Sequence, residues 1–399
     1  MVFGTRFLIF RLIAFATLAL AQGYLFARIR QAIRSSPRSE AFKSRAILLV
    51  GATMGLLFVL NAFLVFRHIP WVDPPMVAQV GLLYPAAVWN FGSVFSALFL
   101  FLARAAGDLG RRLGWTRRGL VAEPAPVPVD PGRRRFLRAG VGGLATAPLV
   151  LSGYGAAYAS KAYDVQEISL PFGRSLRVAQ LTDIHAGLYM TRGDMRRYAD
   201  QVNALRPDLF VLTGDFISNS MSFLPGCAEE MARVHARYGT FAILGNHEHW
   251  FGTLREVQAV FSRHKISLLN NSHRVIRTEQ EPFAVAGIDD LGTGRPDLGA
   301  ALRGLAPSVP TLLLSHRPEI FPQAADHGIP LTLAGHWHGG QIKLSFLGVD
   351  VSLAHLLSPY PEGLFRINTS HLYVSRGIGT TGTPIRLNAP PEVTLFRLM

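Results

Sequence analysis

Five short clusters in this chain collect carboxylates, amides and imidazoles, and each follows directly on an apolar run. "LTDIH" carries Asp183 and His185, "LTGDF" carries Asp215, and "LGNHEHW" carries Asn246, His247, Glu248 and His249. "LLSH" ends in His316, and "AGHWHGG" holds His336 and His338, with a glycine before the pair and two after it. Glycine permits tight turns and close backbone approach, so that last segment can bend sharply around a bound group. A single Asp-x-His or Gly-Asp carries little information, but the set does. Carboxylate oxygens are hard donors and imidazole nitrogens borderline ones, a mixture suited to manganese, iron, zinc or cobalt. The donors suffice for two divalent ions, which a shared carboxylate would hold roughly 3.5–4 Å apart, the spacing of two-metal hydrolases.

Short strands must position these groups. From about residue 164 onward β-rich runs recur: "SLRVAQLT", "DLFVLT", "TFAIL", "FAVAGI", "TLLLS", "LTLA", "LYVS" and "VTLFRL". Helix-like stretches intervene, at 192–205 and 254–264 among others. Strand after strand ends in a polar cluster, as expected of an α/β or mixed sandwich with its site at the strand ends.

In their order, D-x-H, GD, GNH, H and GHxHGG, the blocks resemble those of the calcineurin-like metallophosphoesterases. The tail "SRGIGTTGTPIRLNAPPEVTLFRL" is similar to the ends of bacterial membrane-anchored members, and the resemblance covers residues 164–399. It implies an α/β fold, a four-layer αββα sandwich, and hydrolysis of phosphoric esters by a metal-activated hydroxide. It also implies roles. Asp183, His185 and His338 would bind a first ion, with Asp215 bridging, and Asn246, His316 and His336 would complete a second. Manganese is the first expectation for both ions, with iron, zinc and cobalt as alternatives. His247, by the same resemblance, is not a ligand but faces substrate and protonates the leaving oxygen or stabilises the transition state, a task its intrinsic pKa suits. Two departures stand out: Glu248 occupies a position where many relatives have Asp, and "FISN" follows Asp215 where many carry a further Asp. Arg376 in "VSRGIG" either clamps a phosphate through its bidentate guanidinium or makes a structural salt bridge. His249 either touches substrate or lies on the surface.

The remainder of the chain reads as membrane. The net charge of +14 would suit a nucleic-acid binder, yet residues 1–138 hold 18 basic and 5 acidic side chains while residues 139–399 hold 22 and 21. Basic excess interleaved with apolar runs belongs to a membrane protein, and no nucleic-acid partner is expected. Residues 7–27, 46–66 and 76–103 are each long enough to span a bilayer, which needs roughly 20 residues as helix; 139–159 is a milder fourth candidate. The expected organisation is thus a transmembrane region over 1–110, a basic, proline-rich cytoplasmic linker over 111–138, a fourth membrane or signal-like segment over 139–160, and the catalytic domain over 164–399. Residues 28–45 contain six basic side chains and one Glu, and 104–138 contain nine Arg and three acids. Basic loops stay cytoplasmic. This predicts a multi-pass protein of the bacterial inner (cytoplasmic) membrane with its catalytic domain on the extracytoplasmic side. "GRRRFLRAGVGGLATAP" resembles a twin-arginine export signal and leads to the same topology. The single cysteine, Cys227, excludes an intrachain disulfide and a thiolate metal cluster. The expected partners are the bilayer and a phosphoester, with lipid-linked esters or pyrophosphates as candidates. The alternative is a sensor or scaffold that binds metal without turnover. A transporter fits poorly, because the apolar spans hold almost no charge.

Overall fold

In hydrocarbon a backbone polar group has no partner but its own helix, and the apolar runs of the N-terminal part are helical accordingly. The computed structural model describes residues 2–65, 72–112, 131–159, 161–278, 281–346 and 348–399, divided into two units. The first contains the helices Val2–Arg34, Glu40–Val65, Tyr84–Arg112 and Pro131–Tyr154. Three segments, Arg11–Arg34, Glu40–Phe63 and Met76–Arg112, are long and apolar enough to cross a membrane. The milder fourth candidate falls on the helix Pro131–Tyr154, which is not among those three. Residues 113–130 of the linker, and the side chains of Arg133 and Arg134 in the twin-arginine-like motif, lie outside the described residues. Leu20, Leu48 and Leu56 are 70–76% exposed, which suits contact with lipid rather than water. Polar groups join the helices on the inside. Gln22 donates to Ser93 Oγ at 3.4 Å and to Asn90 Oδ1 at 3.5 Å, and Asn90 donates to Asn61 Oδ1 at 2.6 Å. Such interhelical bonds contribute about 0.6–2 kcal/mol each in a bilayer.

The second unit is built on two six-stranded sheets. Its strands in chain order are β1 (Asp164–Leu170), β2 (Leu176–Leu181), β3 (Leu209–Leu212), β4 (Thr240–Ala242), β5 (Ile266–Leu268), β6 (Ser272–Ile276), β7 (Phe283–Gly287), β8 (Thr311–Leu314), β9 (Leu331–Ala334), β10 (Leu344–Phe346), β11 (Val349–Val351), β12 (Gly363–Ile367), β13 (Ser370–Val374) and β14 (Glu392–Leu398). One sheet runs β1-β14-β2-β3-β4-β5 and the other β12-β13-β9-β8-β7-β6, while β10 and β11 form a separate hairpin. Strands β2 to β5 are mutually parallel, as are β7, β8, β9 and β13. Parallel strands buried on both faces are near-continuously apolar, as "LFVL" and "TLLL" are.

Alternation along the strands sets the layers. Val178, Val211, Ile243, Val285, Leu312, Leu333 and Phe396 point between the sheets and form their shared core. Ala179, Leu181, Phe210 and Leu212 point the other way, against the helices Arg192–Ala204, Leu224–Met231 and Leu254–Arg263. Ala286 and Leu313 pack on Leu298, Ala301, Ile320 and Ala324 outside the second sheet. Helices, sheet, sheet and helices make the four layers implied by the resemblance. Phe283 is fully buried at the centre, edge-on to Phe172 and Tyr238 with centroids 6.4 and 6.0 Å away. Truncation to Phe283→Ala is expected to cost about 3–5 kcal/mol. Thermal unfolding of the detergent-solubilised chain should then show a Tm lower by about 10 °C, and an unchanged Tm would contradict this packing.

Candidate metal centre

Every cluster singled out in the sequence sits just beyond the C-terminal end of a parallel strand. Asp183 and His185 follow β2, Asp215 follows β3, and Asn246 and His247 follow β4 in the first sheet; His316 follows β8, and His336 and His338 follow β9 in the second. Facing sheets therefore supply facing halves of one site. Two cross-sheet bonds fasten them below it: Gln180 donates to Ala334 O at 3.0 Å, and His316 Nδ1–H donates to Thr213 O at 2.8 Å. The loops are tight. Asp183, His185, Asp215, His336 and His338 all have φ between 50° and 73°, a left-handed conformation uncommon for residues with a Cβ. Each such residue stores of order 1 kcal/mol or more of strain, which persists only where the surroundings over-determine it. Gly335 and Gly245 admit the closest approaches, since a Cβ at either would collide with Asp183 or Asp215 respectively.

The donors converge. His185 Nε2 and His338 Nε2 are 3.0 Å apart, and His338 Nε2 is 3.3 Å from Asp183 Oδ1. His316 Nε2 lies 3.2 Å from both Asn246 Oδ1 and His336 Nδ1. Between these groups stands Asp215, whose Oδ2 is 3.4 Å from His316 Nε2, 3.6 Å from His185 Nε2 and 3.9 Å from His247 Nε2. Three sets of donors are each close enough to hold an ion: Asp183 with His185 and His338; His185 with Asp215 and His247; and Asp215 with His316 and His336.

Burial and neighbouring charge together set the charge states. Burial holds His185 down at about 3, and keeps His336 and His338 well below the usual imidazole range. Burial also pushes Asp183 up to about 6, with the charge of Asp215 behind it. Asp215 goes the other way: burial would raise it, but His316 and His247 hold it well below the carboxylate range. For His316 the charge and hydrogen bond of Asp215 overcome burial and lift it to about 10. Two buried carboxylates repel each other, and neutral imidazoles gathered around them, His185 Nε2 and His338 Nε2 only 3.0 Å apart, offer donor atoms to a cation, so this arrangement fits bound divalent cations.

Residues outside the motif order brace the site. Glu248 is fully buried and accepts from the backbone N–H groups of Asp215 (3.0 Å), Phe216 (2.8 Å), Ile217 (3.3 Å) and Gly245 (2.9 Å). One carboxylate thus fixes the loops after β3 and β4 together, and its extra methylene relative to Asp is accommodated. Arg317 donates to Asp290 Oδ1 at 3.0 Å and to Asn246 Oδ1 at 3.3 Å, orienting that amide oxygen toward His316. Arg386 is wholly buried; it donates to the carbonyls of Arg376, Gly377 and Ala389 at 2.8, 3.1 and 2.8 Å, and its Nη2 lies 3.2 Å from His338 Nδ1. His247 Nδ1–H donates to Ser218 O at 2.5 Å, which aims Nε2 at Asp215. His249 bonds Asp289 at 2.6 Å. Arg376 is engaged by Glu392 at 2.8 Å and Asp164 at 3.0 Å, the salt-bridge arrangement of the two considered. The acid pair Asp289–Asp290 ends β7 as the metal-cluster acids end their strands, a signal present in "GIDD" but absent from the motif order.

Comparison with known proteins agrees with this geometry. Residues 176–340 match the family model of the calcineurin-like phosphoesterases. The uncharacterized metallophosphoesterase YkuE of Bacillus subtilis is 30% identical over 279 residues, covering 67% of this chain and 97% of the relative. A transmembrane protein with metallophosphoesterase domain from Danio rerio is 29% identical over 419 residues, 98% of this chain and 90% of its own length. Its counterpart from Bos taurus is 29% identical over 362 residues, covering 84% and 79%. Relatives are thus both bacterial and eukaryotic, and the likeness to the zebrafish protein includes the N-terminal helices. Carboxylates that orient ligand loops typically change metal affinity 10- to 100-fold when lost. Glu248→Ala is accordingly expected to weaken metal binding by about that factor in a chelator competition titration of the full chain; unaltered affinity would show that the two loops hold themselves.

Proposed function

This chain belongs to the calcineurin-like phosphoesterase family and is a metal-dependent, membrane-associated hydrolase; from that premise we propose a dinuclear centre acting on phosphoesters delivered at a membrane. Asp183, His185 and His338 would hold one ion, Asn246, His316 and His336 the other, with Asp215 shared. The observation that carries this reading is the position of Asp215 Oδ2, within 3.4–3.6 Å of an imidazole from each set. When bound, such cations neutralise phosphate charge and acidify the attacking water. Manganese suits the mixture of carboxylate, amide and imidazole donors.

The chain's own groups divide the remaining work. His247 belongs to the third donor group, with His185 and Asp215, and is assigned here to the substrate rather than to an ion: its Nδ1–H is committed to Ser218 O, and its backbone N–H donates to Asp215 Oδ1 at 2.9 Å. That leaves Nε2 as the atom that carries a proton to the leaving oxygen. Arg317 keeps the amide oxygen of Asn246 pointed at the metal side. Glu248 and Arg386 hold the loops rigid so that no reorganisation is needed during reaction. The substrate class is a phosphoester or pyrophosphate, with lipid-linked compounds favoured by the membrane helices. Orientation rests on the basic loops 28–45 and 104–138 as cytoplasmic and on the helix Pro131–Tyr154 as a fourth crossing beside the three longer apolar ones; together they support an extracytoplasmic catalytic domain in a multi-pass inner-membrane protein.

Hydrolysis of bis(p-nitrophenyl) phosphate and p-nitrophenyl phosphate by the manganese-loaded protein tests the reading. Asp215→Asn is expected to lower turnover by more than about 100-fold, beyond what loss of an orienting neighbour costs. His247→Ala should keep its metals and lose about 10²- to 10⁴-fold in kcat, the usual contribution of a proton donor. Full turnover in either variant would remove that residue's assigned role. A reporter fused to the C-terminus should be active only outside the cytoplasm, and cytoplasmic activity would reverse the assigned orientation.

A further inference from the structure

Directly after the His336–His338 turn the chain turns its apolar side outward. In the hairpin, Leu344 pairs with Val351, one register step from the Ser345–Asp350 pair, so the two pairs occupy opposite faces. The polar face is satisfied internally: Ser345 Oγ donates to Asp350 at 2.6 Å, and Lys343 Nζ lies 3.3 Å from the same carboxylate. The helix Leu353–Leu357 that follows buries Ala354 and exposes Leu353, Leu356 and Leu357, the i, i+3 and i+4 positions of one helical face. Leu344, Val349, Val351, Leu353, Leu356 and Leu357 are 45–73% exposed. Over residues 344–358 the charged side chain is Asp350, already paired, with His355 the other titratable group, bonded to Ser352. Exposed aliphatic side chains on adjoining elements this poor in charge mark an interaction site.

We propose that this hairpin and helix form a docking surface for the lipid bilayer, seating their aliphatic side chains at the boundary of headgroups and acyl chains. Three observations select that occupant. The chain is already committed to a bilayer by three helices of spanning length. The hairpin and helix both turn aliphatic side chains outward, with Ser352 and Ala354 buried beneath the helix, as interfacial membrane elements do. Finally, it abuts the metal centre. Gly340, two residues past His338, packs against Ser352 and Ala354 at the start of the helix. Docking would therefore bring the centre to the headgroup level, where a lipid-borne phosphoester presents its phosphate; that consequence rests on the phosphoesterase reading of the same site.

Cys227 is fully buried, which leaves an introduced thiol as the labelling target. The full chain carrying Leu356→Cys, labelled with an environment-sensitive NBD fluorophore, is reconstituted in phosphatidylethanolamine–phosphatidylglycerol vesicles beside a Ser262→Cys control. Blue-shifted emission at position 356, quenched several-fold by doxyl-labelled lipids while position 262 is unaffected, is the expected result. Water-like, unquenched emission at 356 would overturn the proposal. So would a blue shift that grows with protein-to-lipid ratio and is insensitive to doxyl lipid, which would assign the face to a second copy of the chain. Hydrolysis of the soluble diester, measured on the same vesicles, separates the two readings. Quenching without any turnover would stand against the phosphoesterase reading and leave the docking surface in place.

Discussion

Two carboxylates, Asp183 and Asp215, are buried side by side among imidazoles at the junction of two sheets, and the structure around them is organised by the repulsion this creates. Charges this deep are unfavourable unless opposed by charge of the other sign. In the chain alone a proton on His316 partly serves, held by Asp215. A divalent cation serves better, because it answers both carboxylates and lets the buried imidazoles present lone pairs. Metal and polypeptide are therefore one folding problem at this point. The left-handed backbone at Asp183, His185, Asp215, His336 and His338 persists because the surrounding contacts over-determine it.

The architecture follows from that demand. No single strand end can surround an ion, so each sheet brings its parallel strands' C-terminal ends to a common edge. The cross-sheet bonds of Gln180 and His316 then fix the distance between halves. Around this, buried charged groups work on backbone rather than on each other: Glu248 gathers four N–H groups, and Arg386 gathers carbonyls from the loop that carries Arg376 and Gly377. Such groups convert flexible loops into a rigid rim. The outward-facing aliphatic segment begins where that rim ends, which is what would let the proposed docking set chemistry and membrane side by side.

Much of this was legible in the sequence because apolar strands and their polar endings leave a local pattern. "DLFVLT" followed by Gly-Asp, and "LTLA" followed by Gly-His, each announce a strand and its site in under ten residues, and the helices at 192–204 and 254–263 fall within a residue of their expected spans. The strands that escaped were short or lay at edges. β5 is three residues long, and β6 carries His273 and Arg274, whose polar side chains mask a two-residue alternation. The supporting residues escaped for a different reason. Arg386 in "PIRLNAPP" and Arg317 beside His316 look like surface arginines, since what makes them structural is which distant carbonyls and carboxylates the fold brings to them. The left-handed backbone at these Asp and His positions was equally hidden: nothing in either residue type announces a positive φ.

The central claim is that Asp215 is shared between two ions, and anomalous diffraction from crystals of the manganese-loaded protein, collected at the manganese edge, addresses it directly. The account predicts two peaks roughly 3.5–4 Å apart: one beside Asp183, His185 and His338, the other beside Asn246, His316 and His336, with the Asp215 carboxylate touching both. A single peak, or two peaks that Asp215 does not join, would contradict it.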